Sequence, residues 1–136
     1  MSERKNVVDR IAFVDDEALV LRTLSRIFES EPYEIFTFDT PSKAIMAMEQ
    51  HPFCVVVSDQ MMPEMDGTIF LGKVRERWPD TVRILMTGYV DPDTVIKAIN
   101  QGSVFRFVSK PWKIRELRRI VKDAVDQYAS SMNTVC

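Results

Sequence analysis

The chain has 136 residues, of which 46% are hydrophobic, and a formal net charge of -2. This size suits one domain with its own core, and the lack of a basic stripe argues against direct binding to nucleic acid. No apolar run is long enough to span a membrane, and the N-terminus lacks a signal-peptide core. Cys54 lies inside an apolar run and Cys136 is the last residue. Two such unlike cysteines indicate a reducing compartment, so we expect a cytoplasmic protein.

Apolar runs alternate along the chain with stretches whose apolar residues recur at helical spacing. Thr40 or Asp39 is the expected cap of the second helix, and Gly102 is expected to end the fourth. Asp66 and Asp91 are the expected caps of the third and fourth helices. In chain order we predict strand 10–14, helix 17–30, strand 33–38, helix 41–50, strand 53–58, helix 67–78, strand 82–86, helix 92–101, strand 104–108 and helix 112–128.

The predicted order is a strand followed by a helix, repeated along the whole chain. The first, third and fifth strands are continuous apolar runs, which is typical of strands covered by helices on both faces of a sheet. Right-handed crossovers then give a single α/β domain with a doubly wound parallel sheet. Ligands of such sheets bind beyond the carboxyl ends of the strands.

Ionisable and hydroxyl side chains stand at the carboxyl ends of the predicted strands. Two adjacent carboxylates after an apolar strand repel each other and become useful when a cation lies between them. Acidic groups and one lysine gathered at a common edge would make a phosphoryl-transfer site. These residues are Asp15 and Asp16 after the first strand, Asp59 after the third, Thr87 after the fourth and Lys110 after the fifth.

Each of these residues alone has an ordinary interpretation, such as a helix cap, a loop acid or a solvated lysine. Together they closely resemble the receiver domain of two-component response regulators. The resemblance covers about residues 8–128 and implies a five-stranded parallel sheet in the flavodoxin or CheY order 2-1-3-4-5, between a tail at 1–7 and a tail or linker start at 129–136. The matching segments are Phe13-Val14-Asp15-Asp16-Glu17, Ser58-Asp59-Gln60-Met61-Met62-Pro63-Glu64-Met65-Asp66-Gly67, Met86-Thr87-Gly88 and Val108-Ser109-Lys110-Pro111.

The resemblance implies a phosphoacceptor and a metal site. Asp59 would accept the phosphoryl group, because aspartyl phosphates are known covalent intermediates. Mg2+ would be the cofactor, since it prefers oxygen ligands and keeps several waters. Asp16 and Asp59 would bind it directly, Asp15 through water, and the backbone carbonyl of Met61 would complete the protein ligands.

The resemblance also implies a switch. Lys110 would pair with Asp59 before modification and with a phosphoryl oxygen afterwards, and Thr87 would donate its hydroxyl to the phosphoryl group. Thr87 would then move, Phe107 would rotate inward, and the surface of helix four, strand five and helix five would read out the change. The peptide bond between Lys110 and Pro111 is expected to be cis.

The partners follow from the same resemblance. The phosphoryl donor would be a histidine kinase or a histidine phosphotransfer protein, and the domain would hydrolyse its own acyl phosphate slowly without being a dedicated enzyme. The signal would pass to an output domain or protein, and a homodimer through helix four, strand five and helix five is a further expectation. The chain would be either a stand-alone receiver or a fragment of a longer regulator. The segments 77–79, 86–89 and 105–112 look like receivers attached to HD-type phosphodiesterases or ATPase-type transcriptional activators.

Three other functions are compatible with parts of this pattern. A Mg2+-dependent aspartyl-phosphate phosphohydrolase usually needs an acid two residues after its nucleophile, where this chain has Met61, and a cap domain. A flavodoxin-like cofactor carrier needs a Ser/Thr/Gly-rich phosphate loop after strand one, where this chain has Asp15 and Asp16. A receiver-like interaction module that is never phosphorylated stays open, although all five expected residues are present.

Two positions depart from many receivers. Met61 and Tyr89 stand where polar side chains are common, and both would flank the path of an attacking water. We therefore expect them to shield the acyl phosphate and lengthen its lifetime. Met61, Met62 and Met65 could together form a small partner patch or could simply pack within their loop.

Overall fold

The structure is a computed structural model that describes residues 8–88 and 91–133. The tail at 1–7, Tyr89 and Cys136 lie outside the described residues. The sheet has five parallel strands in the order 2-1-3-4-5, counted along the chain, which confirms the predicted fold. The elements are β1 (Asp9–Val14), α1 (Ala18–Ile27), β2 (Tyr33–Phe38), α2 (Pro41–Gln50), β3 (Val55–Asp59), α3 (Gly67–Arg77), β4 (Val82–Thr87), α4 (Pro92–Asn100), β5 (Arg106–Ser109) and α5 (Ile114–Asn133).

Alternate side chains of the central strands fill two hydrophobic cores on opposite faces of the sheet, because successive residues of a strand point to opposite sides. Ile11 and Phe13 of β1 pack with residues of α1 and α5 in the first core. Ala12 and Val14 of the same strand pack with residues of α2, α3 and α4 in the second core. This arrangement explains why the central strands are unbroken apolar runs.

The first helix is shorter than predicted. It ends at Ile27 rather than Ser30. Phe28 is buried against Phe13 of β1, with 5.3 Å between the two ring centroids, and the chain turns back toward the sheet at this residue. Arg118 of α5 donates a hydrogen bond to the carbonyl oxygen of Ile27 at 3.0 Å, which satisfies one of the free carbonyls at the helix end. Leu19 belongs to the apolar pattern of this helix by its spacing, but its side chain is 70% exposed.

The last two elements also differ from the prediction. Strand β5 is only Arg106–Ser109, because these are the residues that pair with β4. Helix α5 begins at Ile114 and continues to Asn133, past the predicted end at Tyr128. Ile69 in α3 and Ile114 in α5 are exposed, although both belong to the apolar pattern of their helices. Within the described part of the chain, no helix combines the length and the apolar character needed to cross a membrane.

Most predicted helix caps are present. The hydroxyl of Thr40 accepts a hydrogen bond from the Lys43 N–H at 3.2 Å, so Thr40 rather than Asp39 caps α2. Asp91 caps α4 through its side chain. Asp66 occupies the N-cap position of α3, but its side chain makes no capping hydrogen bond. Gly102 follows α4 with φ of 78°, a conformation that favours glycine at a helix end.

Candidate functional site

The carboxyl edge of the sheet brings the predicted site residues together. Asp15 directly follows β1, Asp59 ends β3, Thr87 ends β4 and Lys110 directly follows β5. The strand register aligns Asp59 with Met86 and Thr87 with Ser109, so adjacent strands end at similar heights. Asp15, Asp59 and Thr87 are buried. Asp16, in contrast, is exposed at the rim of the same edge.

Lys110 joins two of the three aspartates. Its Nζ lies 2.8 Å from Oδ2 of Asp15 and 3.1 Å from Oδ1 of Asp59. The other carboxylate oxygen of Asp15 accepts a hydrogen bond from the Glu17 N–H at 2.9 Å. The expectation of a Lys110–Asp59 pair in the unmodified protein is therefore met, but the shorter contact is to Asp15, which the sequence did not predict.

The charges at this edge do not balance. Burial, followed by the nearby charge of Asp15, raises the pKa of Asp59 above 3.8, and the contact with Lys110 offsets only part of this. Burial alone would lower the pKa of Lys110, but its hydrogen bonds to Asp15 and Asp59 and their negative charges outweigh burial, so its pKa is raised. The site thus holds one ammonium group between two carboxylates. The remaining negative charge would attract another positive charge.

The three aspartates fit a divalent cation. One carboxylate oxygen from each of Asp15, Asp16 and Asp59 lies within 4.8 Å of the other two. Oxygen donors from carboxylates are the ligands that Mg2+ prefers. A cation at this place would offset the burial and the Asp15 charge that raise the pKa of Asp59. The donor set and its unbalanced charge are therefore suited to Mg2+.

The loop after β3 is folded tightly against the site. A β-carbon at Gly67 would overlap the backbone carbonyl of Asp59, so only glycine allows α3 to begin there. Met61 projects outward with 64% exposure, whereas Met62 is buried and Met65 is partly buried against the second core. These three methionines therefore do not form a common surface patch, and loop packing is the correct interpretation for two of them.

The neighbourhood of Thr87 contains space for movement. A cavity of about 100 Å³ lies beside Thr87 and Met61 and reaches the first turn of α4 at Asp91 and Thr94. Phe107 is half-buried and packs against the second core. The Lys110–Pro111 peptide bond is cis, as expected.

The sequence did not predict the roles of two residues that hold the loop after β3. The Gln60 side chain accepts a hydrogen bond from the Thr68 N–H at 2.9 Å, and the Glu64 side chain reaches Ser42 in α2 at 2.8 Å. Both residues lie inside the motif that follows Asp59. Polar side chains in a short loop next to a helix start are a weak signal, and nothing in the sequence indicates that Ser42 is the partner.

A doubly wound sheet with this order and these acids and lysine at its carboxyl edge defines a CheY-like α/β domain. A sequence profile described as the response regulator receiver domain matches residues 11–122. The chain therefore belongs to the response regulator receiver domain family, whose function is to accept a phosphoryl group with Mg2+.

Curated relatives agree with this family. The chain is 34% identical over 116 residues to the hydrogenase transcriptional regulatory protein HoxA of Cupriavidus necator. The matched residues cover 85% of this chain and 24% of that protein. It is 37% identical over 119 residues to the regulatory protein AtoC of Escherichia coli, covering 87% of this chain and 25% of that protein. The chain thus spans about a quarter of the length of these relatives.

Solved structures are similar as well. The receiver domain of an HD domain-containing protein from Pseudomonas fluorescens has a TM-score of 0.86 at 30% identity, covering 90% of this chain and 98% of that one. The beryllofluoride-activated NtrC4 receiver domain dimer has a TM-score of 0.82 at 34% identity, covering 88% of this chain and 98% of that one.

Proposed function

We propose that Asp59 is the residue that accepts the phosphoryl group in this receiver domain. The observation that carries this proposal is the bridge of Lys110 between Asp15 and Asp59, at 2.8 and 3.1 Å, beside the exposed Asp16. Asp59 is buried beside the charge of Asp15 and in contact with Lys110, at the end of the central strand β3. The donor is a phosphohistidine on a kinase or phosphotransfer protein. A bond forms between an Asp59 oxygen and phosphorus as the P–N bond breaks, and the histidine nitrogen keeps the electron pair.

Mg2+ is the proposed cofactor, held by Asp16, Asp59 and the Met61 backbone carbonyl, with Asp15 contributing through water. The engagement of both Asp15 oxygens, one by Lys110 and one by the Glu17 N–H, supports an indirect role for Asp15. When bound, Mg2+ supplies positive charge that neutralises the carboxylates and the phosphoryl oxygens. Lys110 donates from its ammonium group to a phosphoryl oxygen, and Thr87 donates from its hydroxyl to another.

The same groups supply the switch. A phosphoryl group adds about 1.5 to 2 negative charges and new acceptor oxygens. Thr87 moves toward these oxygens, and the cavity of about 100 Å³ beside it gives the first turn of α4 space to shift. Phe107, which is half-buried, then turns further inward. The output surface is α4, β5 and α5, which contacts an output domain, another protein or a second copy of the chain.

The similarity of this chain to HoxA and AtoC supports a role in a regulatory protein. HoxA and AtoC are named as regulatory proteins, and this chain resembles about a quarter of each. We infer an output in transcriptional control, since the resemblance to HoxA is to a protein named for that role. The cytoplasmic location stays a prediction from the sequence.

The rival phosphohydrolase is disfavoured by Met61. It stands two residues after Asp59 and is 64% exposed, and its thioether cannot act as a general acid. No observation in the structure favours the cofactor carrier.

A mass measurement tests the proposed chemistry. The protein is incubated with Mg2+ and a small acyl-phosphate donor, and its mass is compared before and after. We expect the mass to increase by one phosphoryl group, and this gain to be lost in Asp59→Asn and on removal of Mg2+.

The matched control is Asp66→Asn, because Asp66 is an exposed acid in the same loop that makes no capping hydrogen bond. This variant should gain the group as the unaltered protein does. A protein that gains no group, or an Asp59→Asn variant that still gains it, would contradict the proposal and would favour a module that is not phosphorylated at Asp59.

A further inference from the structure

The loop between β3 and α3, residues 60–66, is held at both of its ends. At its start, the Gln60 N–H donates to the Met86 carbonyl at 3.1 Å, which extends the contact between β3 and β4. The Gln60 carbonyl accepts from the Gly67 N–H at 2.9 Å, and its side-chain oxygen accepts from the Thr68 N–H at 2.9 Å. Gln60 therefore ties the beginning of the loop to its end at the first turn of α3.

The middle of the loop has a different anchor. Glu64 Oε1 accepts two hydrogen bonds from Ser42, one from its N–H and one from its hydroxyl, both at 2.8 Å. Ser42 lies in the first turn of α2, which is Pro41–Gln50, where backbone N–H groups lack intrahelical partners and the helix dipole favours a negative charge. The two residues are 22 apart in sequence, so this contact joins separate elements.

The Glu64–Ser42 contact is itself exposed, and buried side chains on either side of Glu64 hold the loop in addition. Met62 is 6% exposed, and Met65 packs against the second core. The loop therefore presses two side chains inward while Glu64 holds its outer side to α2. A loop fixed in this way has little freedom to rotate the peptide group at Met61, which lies between Gln60 and Met62.

We infer that Glu64 is a positioning residue for the metal site, acting through the Met61 carbonyl. This inference rests on the proposed function, in which that carbonyl helps to hold Mg2+. A backbone carbonyl has no rotamer of its own, so its direction is set by the peptide chain on both sides. The bond from Glu64 to Ser42 orients the loop before the cation arrives and lowers the ordering cost of binding.

The test measures Mg2+ binding directly, by titrating the protein with MgCl2 and following backbone amide shifts by NMR. Glu64→Ala should weaken Mg2+ binding about fivefold, less than the roughly tenfold lower limit expected when a group hydrogen-bonded directly to a ligand is removed, because Glu64 contacts Ser42. Glu64→Gln keeps an acceptor oxygen for Ser42 and should recover most of the affinity. Phosphorylation of Glu64→Ala by a small acyl phosphate should reach its half-maximal rate at a higher Mg2+ concentration than that of the unaltered protein. The maximal rate should be similar.

Glu49→Ala is the matched control, because Glu49 is an exposed acid of α2 that pairs with Arg77 at 3.0 Å, away from the loop. It removes the same charge and should leave Mg2+ affinity within twofold of the unaltered protein. Equal weakening by both alanine variants would reduce the effect to net charge and overturn the inference. Unchanged Mg2+ affinity in Glu64→Ala would overturn the inference about Glu64 and leave the proposed metal site standing. A lack of Mg2+ binding by the unaltered protein would overturn both.

Discussion

Arg83 at the amino edge of the sheet and Lys110 at the carboxyl edge are both half-buried cations, but their surroundings differ. The Arg83 guanidinium donates four hydrogen bonds, of 2.8 to 3.2 Å, to neutral backbone carbonyls of the α3–β4 and α4–β5 loops. Lys110 instead faces two carboxylates that carry more negative charge than it can neutralise. Burial, and then the charge of Arg75, lowers the pKa of Arg83, whereas the carboxylates raise that of Lys110.

This comparison separates stability from function. At the amino edge, polar groups satisfy one another and hold the end of α4 to the start of β4. At the carboxyl edge, negative charge is left over, and a protein tolerates such a cost where a ligand is to be bound. We therefore expect the edge with the unbalanced charges to be the reactive one, and changes at the two edges should affect different measurements.

The largest effect is expected at the amino edge. Arg83→Ala should lower the free energy of unfolding by about 3 kcal/mol, because it leaves several loop carbonyls without their donor. Urea unfolding measures this change. Phosphorylation of the folded protein by a small acyl phosphate should keep its rate, since Arg83 lies at the opposite edge from Asp59. Arg22→Ala, at an exposed arginine of α1, should change stability little. A loss below about 1 kcal/mol in Arg83→Ala would show that the hydrogen bonds do not hold this edge together.

A smaller effect of opposite sign is expected at the carboxyl edge. The pKa of Asp59 is raised from 3.8 in the folded protein. The contribution of its protonated carboxyl group to stability is therefore fully present below pH 3.8 and is lost as the pH rises through the folded-state pKa. Without Mg2+ at neutral pH, the ionised carboxylate thus costs stability, and Asp59→Asn should unfold at a higher temperature than the unaltered protein. The difference should shrink as the pH falls toward 3.8.

Calorimetry with and without Mg2+ checks this expectation. Mg2+ should stabilise the unaltered protein more than Asp59→Asn, because a ligand stabilises only the form that binds it. Asp66→Asn should show neither effect. A lower unfolding temperature for Asp59→Asn at neutral pH would mean that the contact of Asp59 with Lys110 outweighs the burial of its charge, and the electrostatic contrast between the two edges would fail.

The smallest effect concerns the rim of the reactive edge. Met61→Asn should shorten the lifetime of the acyl phosphate roughly threefold, which corresponds to about 0.65 kcal/mol in the barrier, since an amide can position an attacking water where the exposed thioether cannot. The decay of the phosphorylated form is followed by mass at fixed pH and Mg2+. Met46→Asn, at an exposed methionine of α2, is the control. Tyr89→Glu is the companion variant, although Tyr89 lies outside the described residues. Equal lifetimes in all variants would remove the shielding hypothesis.

Several features of the fold follow from local sequence patterns, and their exceptions have tertiary causes. Apolar runs and caps such as Thr40 predicted the five strands and the helix that starts at Pro41, because local hydrogen bonds and side-chain alternation decide these features. Helix α1 ended early because Phe28 packs on Phe13, a contact between elements that periodicity does not contain. The exposed Leu19 has the same origin, since the position of the sheet selects which apolar residues of a helix are covered.

The sequence by itself determined which residues reach the reactive edge, because parallel strands joined by right-handed crossovers must end on the same side of the sheet. That is enough to bring Asp15, Asp59, Thr87 and Lys110 to the same edge. The tertiary structure alone decided how they pair. The shorter bond of Lys110 to Asp15 and the bond of Glu64 to Ser42 join residues 95 and 22 positions apart. Such contacts depend on loop paths and packing to within an ångström or less, and the spacing of residue types along the chain does not carry that information.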